Sequence, residues 1–300
     1  MTPSTAPSIG WELYRSFLGV LQEGSLSAAA RTLGITQPTV GRHIEALERA
    51  LKLTLFIRSQ TGLVPTEAAR SLQSYAEQMA NTASTLARVA ASQGEGVRGV
   101  VRVTASEVVG VEVLPPIIAT LRATAPDLQL EVVLSDVPQD LLHREADIAI
   151  RMFAPRQAQL IAVKLGEVEV GLHATAAYLE AKGEPATVSD LVNHTLVGFD
   201  TYTDFVRRNL KMLPPQFQRE HCALRSDSDL AQLAMVRAGC GIGACQLPLA
   251  ARSPGLVRVL ADVFLFRMEV WVTMHQDLRN SQPHRAVFDG LRAGLRDYIG

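Results

Sequence analysis

The stretch from Ser25 to Leu51 fits few folds, because it encodes two short helices separated by a tight turn. The first helix begins after Ser25, a favourable N-cap residue. Its apolar residues recur at the spacing of one helical face: Leu26, Ala29, Ala30 and Leu33. Gly34 ends this helix, and Thr36 caps the next one, whose first turn tolerates Pro38. Two short helices joined in this way are typical of a helix-turn-helix.

The second helix has one apolar face and one polar face. Its predicted core side consists of Val40, Ile44, Leu47 and Leu51. The polar side carries Gln37, Thr39 and Arg42 at the start of the helix, where a helix-turn-helix contacts base edges in the major groove. Gln can bond adenine, Arg can bond guanine, and the Thr methyl can contact a thymine methyl. We therefore predict base contacts for these three side chains, and a plain helical hairpin in an all-helical core is the alternative.

A predicted β-hairpin follows the second helix. Residues 53–57 alternate as in a strand, residues 59–62 favour a turn, and residues 63–64 can form the returning strand. Such a wing beside the second helix can contact the DNA backbone. Arg58 lies at its base and can neutralise a phosphate.

These segments closely resemble the winged helix-turn-helix of LysR-type transcriptional regulators. The resemblance covers residues 24–48 and the run Leu55–Arg58. Its most specific parts are the Ala29–Ala30 pair, the Gln37–Pro38 start of the second helix, and the Pro65–Ala68 segment. The family resemblance implies an N-terminal winged helix-turn-helix, a long linker helix and a C-terminal effector-binding domain.

The resemblance also implies which residues contact DNA. Together with the motif, it gives this candidate set: Ser25, Gln37, Pro38, Thr39, Arg42, Arg58 and Thr61. Two positions depart from the family pattern, since Gly41 replaces a usual serine and Thr61 lies where a basic wing residue is common. A glycine inside a helix costs about 1 kcal/mol relative to alanine. Modest phosphate affinity would make dimerisation more important for DNA binding.

Residues 67–92 form one long helical pattern without Pro or Gly. A heptad seam runs along it for about three heptads, near the minimum for a coiled coil. The seam consists of Ala68, Leu72, Tyr75, Met79, Thr82, Leu86 and Val89. We predict a dimerisation helix, as the resemblance also implies, with these interface residues: Leu72, Tyr75, Met79, Leu86 and Val89. A helix packed on its own domain is the alternative.

From residue 97 onward, β-branched runs alternate with helical patterns, which predicts an α/β domain with a parallel sheet. The predicted strands are 100–105, 128–134, 146–150, 160–165, 167–173, 195–199, 223–226, 241–245 and a pattern near 257–272. The predicted helices are 113–123, 139–144, 174–182, 203–211, 229–238 and 288–298. The family's effector domain has two lobes joined by two crossing strands and resembles periplasmic binding proteins. The expected domains are 9–66 for DNA binding, 67–92 for the linker helix, 97–165 with 268–300 for lobe one, and 166–267 for lobe two.

Open α/β sheets bind ligands beyond the carboxyl ends of their strands. The residues at or just after the predicted strand ends form a candidate effector site: Thr104, Ser106, Glu107, Ser135, Asp136, Arg151, Phe153, Phe199, Asp200, Thr201, Ser226, Asp227, Cys245 and Gln246. Hydroxyls, helix N-terminal amides and Arg151 favour an anion, so a small carboxylate is one hypothesis. Glu107 and Asp200 would instead favour a cationic group. Serine and aspartate are most often only helix caps.

Competing functions find less support in the sequence. Gly239–Ala244 fits G-x-G-x-x-G/A, but it follows a predicted helix and enters a strand, the reverse of a dinucleotide site. The seven histidines show no metal-ligand spacing, so we expect no catalytic residue, cofactor or metal. Cys240 and Cys245 leave a redox sensor open, although their apolar surroundings predict buried, inert thiols. A ligand-binding protein with an inactive DNA-binding domain is a further alternative.

Composition limits the remaining possibilities. A chain of 300 residues is expected to hold about two or three domains. The net charge of −1 argues against binding of nucleic acid by bulk charge. Three cysteines suit a reducing compartment, and we find no signal peptide or membrane span. We therefore expect a cytoplasmic homodimer, or dimer of dimers, whose partners are promoter DNA and a small effector.

Overall fold

A computed structural model describes residues 9–59, 62–91, 97–135, 146–155, 160–201, 206–207 and 211–300. The described residues form two compact units, one up to Ala87 and one from Arg88 onward. Some predicted features lie outside the described residues. They are Thr61, Asp136, the helix at 139–144, the end of the linker helix at Ser92, and the side chain of Val89.

The first unit contains the predicted helices and hairpin. Its elements are α1 Trp11–Glu23, α2 Leu26–Leu33, α3 Gln37–Leu51, β1 Phe56–Ser59, β2 Gly62–Pro65 and α4 Glu67–Ala91, the last of which extends into the second unit. The predicted N-caps are confirmed, since Ser25 Oγ accepts from the Ala28 amide and Thr36 Oγ1 from the Thr39 amide. Gly34 follows α2 at φ 69°, a left-handed conformation that favours glycine.

The core of the first unit joins α1, α2, α3 and the inner face of α4. Its buried side chains include Phe17, Val20, Ala29, Val40, Ile44, Leu47, Leu55, Phe56, Ala69 and Ala76. The strand predicted from residue 53 begins only at Phe56, and this boundary is corrected. Glu48 Oε1 accepts from the amides of Leu55 and Phe56 at 2.6 and 3.3 Å. Leu55 and Phe56 are buried, whereas Leu53 is exposed.

The second unit is an α/β domain built on one large sheet. Its strands are β3 Gly99–Ala105, β4 Leu128–Leu134, β5 Ile148–Arg151, β6 Leu160–Thr175, β7 Val197–Gly198, β8 Leu224–Arg225, β9 Gly243–Gln246, β10 Leu256–Val259 and β11 Phe266–His275. Its helices are α5 Leu114–Thr124, α6 Ala176–Lys182, α7 Asp229–Arg237, α8 Leu247–Ala251 and α9 Gln282–Ile299. The sheet order is β10-β6-β11-β5-β3-β4, with β9 also paired to β6.

The sheet is mixed, so the prediction of a parallel sheet is only partly right. Strand β3 runs parallel to β4 and β5, whereas β11 is antiparallel to β5 and β6. Residues 160–165 and 167–173 also form one strand, β6, and not two. Gly166 pairs with Val270, but the next pair along β11 is Trp271 with Lys164. Leu165 therefore forms a β-bulge, and the strand continues on both sides of it.

Strands β6 and β11 are the long crossing strands between two lobes. Lobe one has a core that includes Val103, Ile148, Ile150, Val272, Leu291 and Leu295. Lobe two has a separate core that includes Leu172, Leu191, Leu196, Phe217, Ile242 and Val259. The predicted two-lobed α/β architecture is therefore confirmed. None of the helices in the described part of the chain is long and apolar enough to cross a membrane.

Several helix boundaries differ from prediction. Helix α9 begins at Gln282, six residues before the predicted start at Phe288, and Pro283 occupies its first turn. The short helix α8 was not predicted. Of the helix predicted at 203–211, the structure describes Val206 and Arg207, which are helical, and Lys211, which lies in a turn.

Candidate functional site

The start of α3 presents its polar side chains to solvent. Gln37, Pro38 and Arg42 are exposed and Thr39 is half-buried, while the opposite stripe of α3 is buried in the core. Thr36 fixes this end of the helix, because its hydroxyl bonds both the amide and the hydroxyl of Thr39. The side chains that the sequence predicts to contact DNA bases are therefore accessible on one surface.

The wing lies beside the turn that precedes α2. The Leu63 amide donates to the Gly24 carbonyl at 2.9 Å, which ties β2 to that turn, and Ser25 follows as the half-buried cap of α2. Arg58 lies on β1 opposite Leu63 and is exposed. The first unit therefore exposes the Arg58 guanidinium on the wing and the Arg42 guanidinium at the start of α3.

Helix α4 has one face in the core and a second apolar face in solvent. Ala69 and Ala76 are buried, and half-buried Leu72 packs against the same core. The seam residues Tyr75, Met79 and Leu86 are 65, 40 and 68 % exposed. The helix therefore packs partly on its own unit, and four of the seven predicted seam residues, Tyr75, Met79, Thr82 and Leu86, are exposed in the part of the chain that the structure describes.

A cavity of about 1070 Å³, including its open mouth, lies between the two lobes of the second unit. Half of the predicted effector residues line it: Ser106, Ser135, Arg151, Phe153, Phe199, Cys245 and Gln246. The edge formed by β5, β3 and β4 brings Arg151, Ser106 and Ser135 together, because these neighbouring strands are parallel. Arg151 is held by hydrogen bonds to the Ile150 carbonyl at 2.9 Å and to Thr104 Oγ1 at 3.2 Å.

The other described residues of the predicted effector set lie outside the cavity lining: Thr104, Glu107, Asp200, Thr201, Ser226 and Asp227. Thr104 is fully buried beneath Arg151. Glu107 Oε2 accepts from Ser228 Oγ at 2.5 Å, and Asp200 forms ion pairs with Arg219 and Arg225. The Glu107 contact joins the two lobes, and each of these three side chains is engaged by another protein group.

Asp227 illustrates this structural use of a carboxylate. It accepts from the Asp200 amide and from both the amide and the hydroxyl of Thr201. These hydrogen bonds lower the pKa of Asp227. Ser226 Oγ accepts from the Ser228 amide in the same loop. Hydrogen bonds to other protein groups therefore engage both Ser226 and Asp227, whereas Ser228 is the residue that caps α7.

Most of the cavity wall is apolar and was missed by the sequence analysis. Large apolar residues that line it include Met152, Leu213, Phe217, Leu233, Phe266 and Met268. Asp229 and Gln232, in the first turns of α7, add polar groups from lobe two. The search for polar strand ends could not find the apolar wall, because such residues have the same sequence pattern as the core.

Polar contacts also join the two lobes beside the cavity. Arg237 of α7 donates two hydrogen bonds to Glu112, at 2.6 and 2.9 Å. The hydrogen bond from Arg237 lowers the pKa of Glu112. The Tyr298 hydroxyl of α9 donates to Oε1 of Gln246, a cavity residue, at 2.6 Å. The Arg237–Glu112 pair therefore joins the two lobes, and Tyr298 holds Gln246, which lines the cavity.

The cysteines differ in exposure. Cys245 is buried, as predicted, and burial raises its pKa to about 12, while burial raises the pKa of Cys222 to about 11. Cys240 is exposed, so the prediction that it is buried is wrong. Gly239, at φ 78°, turns the chain after α7 and leaves Cys240 at the surface. The described residues contain no group of three His, Cys, Asp or Glu side chains that could hold a metal ion.

Two family models match the chain. The LysR substrate binding domain matches residues 94–296, and the bacterial regulatory helix-turn-helix protein, lysR family, matches residues 11–70. An HTH-type transcriptional regulator of Xanthomonas campestris pv. campestris (strain 8004) is 30 % identical over 178 residues, which cover 59 % of this chain and about half, 52 %, of that protein. The probable HTH-type transcriptional regulator LtrA of Klebsiella pneumoniae is 27 % identical over 291 residues, covering 92 % of this chain and 91 % of LtrA.

Solved structures show the same fold. The full-length Vibrio cholerae virulence activator AphB, a member of the LTTR family, has a TM-score of 0.61 at 20 % identity and covers 95 % of this chain and 99 % of its own. Full-length CbnR in complex with its target DNA has a TM-score of 0.65 at 19 % identity, with coverage of 95 and 99 %. The substrate-binding-domain model alone spans more than half of the 300 residues. Its match, the winged helix-turn-helix and the two-lobed domain together show that the chain belongs to the LysR family of transcriptional regulators.

Proposed function

We propose that this regulator recognises promoter DNA through α3 and the wing, and responds to a small effector in the cavity between its lobes. The observation that carries the proposal is the exposed polar start of α3, opposite a buried stripe on the same helix. A recognition helix requires both faces, because one must anchor it while the other enters the major groove.

Within this proposal, the residues of the DNA interface have separate roles. Gln37, Thr39 and Arg42 contact base edges, and Arg58 contacts a phosphate. Pro38 adds a contact at the start of α3. Ser25, the cap of α2, and Thr61 complete the proposed interface.

The uncovered seam of α4 supports a homo-oligomer. Tyr75, Met79 and Leu86 are large apolar side chains exposed on one helix, and a second copy of α4 would cover them. Pairing two DNA-binding domains lets two half-sites bind together, which multiplies weak individual affinities. Leu72 and Val89 extend the proposed seam, which holds a dimer or a dimer of dimers.

Effector control requires the ligand to prefer one arrangement of the protein over another. The expected coupling is about 1–3 kcal/mol, typical of allosteric proteins. The proposed role is regulatory and not enzymatic, and it belongs in the cytoplasm, where promoter DNA is accessible. A carboxylate effector is consistent with Arg151 in the cavity lining.

The testing experiment is a titration of the full-length chain with the promoter region adjoining its own gene and with random DNA, across a salt series. Arg42→Ala removes a proposed base contact, and Arg267→Ala is the charge-matched control in the second unit. We expect salt-sensitive binding that favours the promoter and is weakened about fivefold or more by Arg42→Ala, since a bidentate base contact contributes about 1–3 kcal/mol of discrimination. Arg267→Ala should bind as the wild type does. No preference over random DNA at any salt would leave two alternatives, a target promoter elsewhere or a ligand-binding protein with an inactive DNA-binding domain.

A further inference from the structure

We propose that Glu112 and Arg237 position the two lobes by holding them together along one side of the cavity. With Glu107 of lobe one and Ser228 of lobe two, they form a set of contacts that we name the interlobe clasp. Ser228 caps α7, and its hydroxyl donates to Glu107 Oε2 at 2.5 Å. This inference rests on the effector role proposed for the cavity. It names the residues that determine which arrangement of the lobes the chain adopts without effector.

The lobe-one half of the clasp is a helical segment, residues 106–113, that contacts both lobes. Val109 is buried in the core of lobe one. Val108 instead packs against an apolar cluster of lobe two that includes Cys245. Glu112 lies about one turn after Val108, and residues at this spacing share a helix face. The face toward lobe two therefore combines an apolar contact with an ionic one.

Helix α7 supplies the lobe-two half of the clasp and also lines the cavity. Asp229 and Gln232 in its first turns belong to the cavity lining, and Arg237 lies in its last turn. The two terminal nitrogens of Arg237 donate to both carboxylate oxygens of Glu112, and Arg237 Nε donates to Ser253 Oγ at 3.0 Å. Such a bidentate pair fixes orientation as well as distance. A shift of α7 against lobe one would therefore break the clasp and change the cavity wall together.

The ion pair of the clasp is partly shielded from solvent. The side chains of Arg237 and Glu112 are 33 and 23 % exposed, whereas those of the Arg102–Glu131 pair within lobe one are 40 and 50 % exposed. Ion pairs contribute less as their exposure to water increases. The clasp should therefore matter more than the Arg102–Glu131 pair, which provides a matched control inside one lobe.

Cys245 can report whether the clasp is closed. Its side chain is buried in the lobe-two cluster against which Val108 packs from lobe one. Separation of the lobes at the clasp would expose this thiol, whereas Cys222, in the other core of lobe two, would respond only to unfolding. Burial raises the pKa of Cys245, and the positive charge of Arg237 partly offsets this effect. Removal of that charge alone would slow the thiol, so faster modification would report exposure.

The test measures alkylation by iodoacetamide in the full-length chain carrying Cys240→Ser, which removes the exposed thiol. Arg237→Glu places two carboxylates opposite each other. We expect it to raise the modification rate of Cys245 about fivefold or more, while the rate of Cys222 changes less than about twofold. The control Arg102→Glu should leave Cys245 protected. Arg237→Gln provides the test if Arg237→Glu does not fold.

A swapped pair separates the ion pair from other effects of the substitution. The double variant Glu112→Arg/Arg237→Glu restores opposite charges across the lobes, and it should recover most of the protection of Cys245. Arg237→Lys keeps the charge but loses the paired donors, so it should recover only part of that protection.

The regulatory consequence is measured by titrating the same variants with the promoter region. Without any effector, Arg237→Glu should change promoter affinity about fivefold or more, since allosteric coupling between sites is typically of this size or larger. The swapped pair should return the affinity toward that of the wild type. Arg102→Glu should bind the promoter as the wild type does.

Three results would overturn the proposal: full protection of Cys245 in both Arg237→Glu and Arg237→Gln, an equal acceleration of Cys222, and no recovery in the swapped pair. Unchanged promoter affinity in a variant with an exposed Cys245 would overturn the regulatory role of the clasp. A wild-type chain that does not prefer the promoter, but whose Cys245 responds as expected, would support the clasp and count against the proposed promoter recognition alone.

Discussion

Single side chains determine where α2 and α3 begin. The hydroxyl oxygens of Ser25 and Thr36 accept hydrogen bonds from backbone amides at the starts of α2 and α3. Both caps could be predicted from the sequence. Similar chemistry engages two of the predicted effector residues, since Asp227 accepts from the Asp200 and Thr201 amides that follow β7, and Ser226 accepts from the Ser228 amide. A polar residue after a strand has the same sequence pattern whether it caps a loop or contacts a ligand.

Gly41 is the residue of α3 whose replacement should stabilise the protein. A Cβ at this position would meet only Leu26 Cδ1, at 3.8 Å, which is an ordinary contact. We expect Gly41→Ala to raise the free energy of unfolding of the first unit by about 1 kcal/mol, because alanine loses less backbone entropy in a helix. Urea unfolding measures the change.

Gly19→Ala in α1 is the matched control. Its Cβ would approach Leu33 Cδ1 at 2.9 Å, so crowding should offset the entropic gain. An equal gain for both variants, or a loss for Gly41→Ala, would contradict the role given to the space around Gly41.

The three thiols should differ in reactivity with iodoacetamide. Cys240 is exposed, whereas Cys222 and Cys245 are buried and their pKa values are raised to about 11 and about 12. The thiolate is the nucleophile, so mass spectrometry should find Cys240 alkylated first in the folded chain. Cys240→Ser should abolish the fast modification. Fast modification of Cys245 would contradict its burial and restore a redox role for it.

Secondary-structure elements with a strong repeat were predictable, and those that depend on tertiary pairing were not. The long pattern of α4 and the buried stripe of α3 follow from 3.6-residue periodicity. Strand β6 does not, since Gly166 resembles a break in the sequence and only the pairing with β11 carries the strand past it. Helix α8 is only five residues long, too short for periodicity to reveal.

The Glu112–Arg237 pair should stabilise the second unit in a pH-dependent way. Glu112→Gln removes the charge from a bidentate, partly buried ion pair, and solvent exposure limits the expected loss to about 1 kcal/mol at neutral pH. The pKa of Glu112 is lowered in the folded state. Its contribution is therefore complete above the unfolded pKa, about 4.3 for glutamate, and is lost as the pH falls through the folded pKa.

Urea unfolding of wild type and Glu112→Gln across an acidic pH series measures this effect. Glu131→Gln breaks the more exposed pair with Arg102 and should change the free energy of unfolding less. A difference between wild type and Glu112→Gln that grows toward acid pH would contradict the assignment.

At the scale of the whole molecule, the sequence predicted the order of domains better than it predicted the cavity. The polar edge with Ser106, Ser135 and Arg151 could be predicted from strand ends. The apolar wall could not, because Phe266 and Met268 lie on a crossing strand whose pattern also fits a buried core. The packing of the two lobes determines which apolar side chains face the cavity. A local sequence pattern cannot predict this packing.

Oligomerisation through α4 should fail when a charge enters its seam. Leu86 is 68 % exposed in the chain, and Leu86→Glu would bury a carboxylate in the proposed apolar interface. We expect sedimentation velocity to show a smaller species and promoter affinity to fall more than about tenfold, because the second half-site no longer assists binding. Val263→Glu, on the exposed surface of lobe two, should change neither. An unchanged oligomer in Leu86→Glu would place the interface elsewhere.

The position of the two tryptophans has an optical consequence. Trp11 belongs to α1 in the first unit, whereas Trp271 lies on β11, and its indole N–H donates to Glu269 at 2.9 Å. Trp11→Phe would leave one intrinsic fluorophore, on a strand that crosses between the lobes. A ligand that shifts the crossing strands would then change the emission of a single residue. The Trp11→Phe chain would thus report effector binding through the fluorescence of Trp271, without an added label.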